Sequence, residues 1–113
     1  MSATGWSVRI AKRDLVDAIG AARRRATLRR KGAGLEPDVL FVGCDLDGED
    51  ALSIRSSDAA MDVPASGAWP SPISANGPAL RRLAPKLTGP DVEIAYVEGR
   101  LLLNGTSVPA REV

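Results

Sequence analysis

An α+β fold built from two successive strand, helix, three-strand units is predicted by three features of this 113-residue sequence. Two apolar stripes at helical spacing each come after a short strand-like segment, and turn residues cut the chain beyond each stripe into short alternating runs. The third feature is an echo: Val63-Pro64-Ala65 near the middle returns as Val108-Pro109-Ala110 near the end, as an internal duplication predicts. An apolar share of 44% supports one core, and the length suits one domain. Residues 1–5 are expected to be a tail and 6–113 a single domain, divided into units 6–67 and 68–113.

In the first unit, residues 7–10 alternate with Val8 and Ile10 on one side, a strand signal. A helix is predicted from Lys12 to about Arg30, because Leu15, Ile19, Ala22 and Ala26 share a face while Arg13, Asp17 and Arg24 fall opposite. Gly32 and Gly34 are its expected stop, and Pro37 opens the next segment. Residues 39–46 and the run through Leu52 and Ile54 flank Asp47-Gly48-Glu49-Asp50 and read as a hairpin, with a third strand near residues 60–65. Residues 66–72, with Gly67, Pro70 and Pro72, are expected to be a connection without an element of their own.

The second unit starts with a short strand at residues 73–75. Asn76-Gly77-Pro78 then opens a helix, in which Leu80, Leu83, Ala84 and Leu87 form the buried stripe. Pro85 lacks an amide donor and clashes with the preceding turn, which predicts a short or kinked helix. Val92, Ile94 and Tyr96 alternate as a strand, and Glu98-Gly99 and Asn104-Gly105 are hairpin turns around Leu101, Leu102 and Leu103. Proline in both terminal strands predicts that each unit ends on a sheet edge.

Composition excludes much chemistry. The chain has no histidine, which removes the commonest general base and transition-metal ligand, and Cys44 stands alone, so neither an internal disulfide nor a cysteine-rich metal site is expected. No basic leader with an apolar stretch opens the sequence and no run is long enough for a membrane span, so a cytoplasmic protein is expected. Asp45, Asp47, Glu49 and Asp50 crowd together, but Gly48 comes too early for a twelve-residue calcium loop, so they read as a solvated hairpin tip. Gly32-Ala33-Gly34 comes after a helix and lacks the lysine of a phosphate loop. Cys44 reads as a small hydrophobe, and Trp69 as a residue that pins the mid-chain connection to the core. No catalytic residue, metal ligand or cofactor is expected, and a small metal-dependent enzyme around Asp45 and Asp47 is the least favoured reading.

Val8-Arg9-Ile10 entering Leu15-Val16-Asp17-Ala18-Ile19, Val39-Leu40-Phe41 after the first helix, and Leu80-Arg81-Arg82-Leu83 leading to Asp91-Val92-Glu93-Ile94 give an order that resembles one domain of the DNA sliding clamps. The resemblance runs from about Trp6 to Val113 and rests on fold-type patterns. A clamp protomer carries two or three such domains in tandem, where this chain has length for one. The resemblance implies two helices on one face of an antiparallel sheet, lining a channel where cations meet phosphates. It also implies that single-domain chains would need six copies joined through edge strands to close a ring.

Charge is distributed to match. Between residues 12 and 31 eight cations face only Asp14 and Asp17, a net of +6, and Arg81, Arg82 and Lys86 add +3 in the second helical segment. The remaining four arginines stand against twelve carboxylates, a net of −8. A row of cations releases counterions from a polyanion and binds it without reading sequence. The candidate nucleic-acid contacts are Lys12, Arg13, Arg23, Arg24, Arg81, Arg82 and Lys86, directed at the backbone of double-stranded DNA, with DNA-processing proteins as further partners. Trp6, Phe41, Trp69 and Tyr96 all fall outside the helices, which favours backbone contact over base stacking. The competing explanations are a solvated face, a helix dipole that favours Arg29, Arg30 and Lys31 near a C-terminus, and a clamp-like domain that binds protein partners or itself in place of DNA.

Overall fold

The computed structural model describes residues 6–29, 38–56 and 59–113, with side chains for 6–20, 38–56 and 60–113. The expected tail at residues 1–5 and the expected helix stop at Gly32 and Gly34 lie outside the described residues.

The chain runs β1 (Trp6–Ala11), α1 (Lys12–Arg29), β2 (Val39–Leu46), β3 (Glu49–Ser56), β4 (Ala59–Pro64) and β5 (Ser66–Gly67). It continues through β6 (Ile73–Ala75), α2 (Gly77–Leu83), a 3₁₀ turn (Ala84–Lys86), β7 (Asp91–Val97), β8 (Arg100–Leu103) and β9 (Thr106–Glu112). The nine strands take the order β4-β3-β2-β6-β9-β8-β7-β1-β5, and every pairing is antiparallel. Alternation explains these strands: in β7 Val92, Ile94 and Tyr96 are buried while Asp91, Glu93 and Val97 are exposed. Three hairpin turns among the described residues place a residue of positive φ before a glycine, at Asp47-Gly48, Glu98-Gly99 and Asn104-Gly105, which matches the strand twist.

The two units repeat one pattern in the register. Val8 and Ile10 of β1 pair with Ile94 and Val92 of β7, while Ile73 and Ala75 of β6 pair with Phe41 and Val39 of β2. Outward from there Phe41 faces Ile54 as Ile94 faces Leu103, and Leu52 faces Val63 as Leu101 faces Val108. Each unit therefore lends its first strand to the other. The apolar sides of both units, with Leu15, Ala18 and Ile19 of α1 and Leu80 of α2, form one buried cluster.

The Val-Pro-Ala echo marks equivalent points. Ala65 N–H donates to the Asp50 carbonyl at 3.1 Å and Ala110 N–H to the Gly99 carbonyl at 3.0 Å, so the preceding proline nitrogen points away from that neighbour in both cases. A missing donor costs nothing there. Only the first echo lies in a strand that is an edge along its whole length, however. β9 is interior, paired to β8 along Thr106–Pro109 and to β6 along Ala110–Glu112, because one long strand can leave one neighbour and join the next. The stretch expected to be a bare connection also holds β5, whose Gly67 and Ser66 pair with Val8 and Arg9. Gly67 at φ 124 permits an approach to the Ser7 carbonyl that a Cβ would block, and two residues suffice because β5 prolongs β4 past Ala65.

Candidate nucleic-acid interface

The candidate cations ride on two helices that begin differently. β1 passes into α1 without a side-chain cap, and Lys12 N–H donates to the Pro90 carbonyl at 2.8 Å. α2 has a cap: Asn76 Oδ1 accepts from Ala79 N–H at 2.9 Å, and Pro78 occupies the first turn. As Pro85 predicts, α2 is short and tightens into 3₁₀ geometry at Ala84–Lys86.

The cations do not share one environment. Arg13 on α1, Arg82 on α2 and Lys86 on the 3₁₀ turn are exposed. Arg81 is half-buried, with Nε and Nη2 enclosed. It borders a small cavity of about 140 Å³ at the helix seam, together with Val16, Ile19, Gly20, Ala84 and Pro85. Lys12 is also half-buried, and its Nζ donates to the Leu87 carbonyl at 2.5 Å and reaches the Pro85 carbonyl at 3.4 Å. The backbone at Arg23 and Arg24 is helical, but their side chains lie outside those described.

Carboxylates gather elsewhere. Asp14, Asp47, Glu49, Asp50 and Asp91 line an open cleft of about 610 Å³, with Arg9 as the one cation among its described lining, over a floor that includes Ile10, Leu46, Pro64 and Ala65. The hairpin-tip acids were visible in the sequence, but their meeting with Asp14 and Asp91 depends on the pairings of β1 with β5 and β7 and had no local signal. Among the described residues no group of three or more histidines, cysteines or carboxylates is arranged to hold a metal ion.

The aromatic residues are structural. Trp69 is buried and donates from Nε1 to the Phe41 carbonyl at 3.1 Å, while its backbone lies against Gly43 so closely that an added Cβ would collide with the Trp69 carbonyl. Trp6 packs edge-on against Trp69 at 6.0 Å and tilted against Tyr96 at 5.3 Å. Tyr96 Oη accepts from Gly99 N–H at 3.1 Å. Cys44 is half-buried on β2, and its desolvation, followed by the negative charge of Asp62, pushes the thiol up against the opposing pull of Arg55.

Comparison with solved structures then places the architecture. A β sliding clamp of C. crescentus, crystallised with polyethylene glycol bound, is similar over 97% of this chain with a TM-score of 0.68 at 19% sequence identity. The fold is that of a clamp domain. The chain spans 31% of the length of that clamp. No protein-family model matches the sequence, and no curated protein matches it. Among the described residues no helix is long and apolar enough to cross a membrane.

Proposed function

We propose that this chain is a non-enzymatic clamp-like module that associates with the backbone of duplex DNA, or with an assembly working on DNA, through the cations of its two helices. The observation that carries the proposal is the coincidence of a clamp-domain fold with exposed Arg13, Arg82 and Lys86 on the helical elements, while Asp47, Glu49, Asp50 and Asp91 gather with Asp14 of α1 in a cleft. Arg23 and Arg24 extend the same basic sequence along α1. Such a surface neutralises phosphates by position and charge alone, so its affinity is indifferent to sequence and falls steeply with salt.

Fluorescence anisotropy with a labelled duplex, titrated across salt concentrations, tests this directly. Binding of the non-specific kind, with Kd roughly 10⁻⁴–10⁻⁶ M at physiological salt, is expected, and each phosphate contact contributes about 0.9 to the log–log salt slope. The R82A/K86A variant is expected to lower that slope by roughly 1.8. Absence of any anisotropy change at low salt sinks the DNA reading.

A second reading, assembly with copies of itself or with protein partners, is favoured by a different observation. Among the described residues no strand pairs with the outer side of β4, where Met61 is exposed, or with the far side of Thr106, Ser107 and Val108 in β9. Such edges accept an added strand. Light scattering coupled to size exclusion separates the cases: concentration-dependent oligomers that persist at high salt favour edge pairing, and a monomer at all concentrations removes it.

A further inference from the structure

We infer that Lys12 is a strut that fixes the two basic helices relative to one another, and that it is not a phosphate ligand. The inference rests on the DNA reading above and divides its cations by role. Lys12 stands at the first position of α1, where a positive charge opposes the dipole of its own helix. The ammonium instead meets the opposite pole of the other helix: Nζ donates to the carbonyls of Leu87 and Pro85, where α2 and its 3₁₀ turn end and backbone acceptors lack helical partners. The Lys12 N–H donates to Pro90 at 2.8 Å, so backbone and side chain of one residue grip the same return segment, 73 to 78 residues away in sequence.

The consequence reaches the surface. Arg13 comes directly after Lys12 and Lys86 directly before Leu87, so the strut ties the residues beside two exposed cations from different units. The spacing of those cations, which must match the spacing of phosphates, then depends on a bond that neither of them makes. The correspondence between the units makes the strut one-sided: Ile10 corresponds to Ala75 in the register, so the counterpart of Lys12 is Gly77, a residue with no side chain to offer. Unit two has the Asn76 cap in place of a strut.

The test compares Lys12→Met, which keeps the aliphatic stem and removes the donors, with Lys12→Arg and with Lys86→Ala, using duplex DNA anisotropy across salt and thermal unfolding of each full chain. Lys12→Met is expected to lower Tm and weaken DNA binding several-fold with the salt slope unchanged. Lys12→Arg is expected to restore both in part, while Lys86→Ala lowers the slope by about 0.9 with Tm unchanged. A Lys12→Met slope that falls by about 0.9 at unchanged Tm makes Lys12 a phosphate ligand and overturns the inference. A lowered Tm with unaltered affinity removes the role in positioning the surface. If the unsubstituted chain binds no DNA, the DNA reading fails by itself, and the strut still stands or falls on whether Lys12→Met lowers Tm and Lys12→Arg restores it.

Discussion

The two units solve the same packing problem with different surroundings. Their strands agree residue for residue: Val39 with Val92, Phe41 with Ile94, Leu52 with Leu101, Ile54 with Leu103 and Val63 with Val108, all buried. The hairpins differ in reach. Cys44 paired with Ala51 corresponds to Val97 paired with Arg100, after which unit two turns at once, whereas unit one adds the pairs Asp45 with Asp50 and Leu46 with Glu49. That extension carries acids into the cleft. The helices differ too, with 18 residues in α1 against seven in α2 before proline tightens the chain. Alternation buried on one side tolerates little change, since each residue is packed in the shared core, while turns and helix ends are free to diverge.

The largest expected effect falls on the connection between the two units. Trp69 has its indole bond to Phe41 and its edge contact with Trp6. Trp69→Ala should cost about 3–5 kcal/mol in urea unfolding. A loss below about 1 kcal/mol would show that the connection is not anchored there. The next test sharpens the equivalence. Leu52→Ala and Leu101→Ala remove corresponding, fully buried side chains, and each should cost about 2–5 kcal/mol with an unchanged denaturant slope. A large cost at one and a negligible cost at the other would mean that the shared register does not bring shared packing.

Smaller effects fall on the ends of the elements. Asn76→Ala removes the cap of α2 and should cost about 1 kcal/mol, measured by thermal unfolding, whereas the corresponding Ala11→Gly leaves no cap bond to lose. The smallest concerns Cys44, whose counterpart is Val97. Its thiol is raised by desolvation and by Asp62, so the folded chain holds the proton more tightly than the unfolded chain. The associated stability is complete below the unfolded thiol pKa and is lost as pH rises through the folded one. Alkylation by iodoacetamide should accordingly be slower in the native protein than in urea at mildly alkaline pH, and Asp62→Asn should narrow the difference. Equal rates in both states would remove the shift.

Much of the fold was legible because its signals are local. Val92, Ile94 and Tyr96 announce a strand by period, Asn76-Gly77-Pro78 announces a helix start by capping chemistry, and Pro85 announces the short helix by the bond it cannot make. β5 had no such signal, because two residues carry no period and pair only once β1 lies beside them. Proline in β9 suggested an edge, yet proline requires only that its nitrogen face no acceptor, a condition an interior strand meets where it changes neighbours. The candidate interface was legible as a charge pattern but not as a set of roles: Lys12, Arg13, Arg81 and Arg82 read alike in the sequence.

The sequence by itself determined the α+β class, the two-unit order, the turns and the placement of positive charge on helices, since each arises from spacing and side-chain type within a few residues. Only the tertiary structure decided that the units exchange their first strands, that β9 is interior, and that the hairpin acids meet Asp14 and Asp91. It also decided which cations face solvent, with Arg13, Arg82 and Lys86 outside while Lys12 is bound to carbonyls at the far end of the other helix. The reason is physical. A period fixes which face of an element is apolar, but which face of which other element covers it, and therefore where each charge finds its neighbour, depends on contacts between residues far apart in the chain.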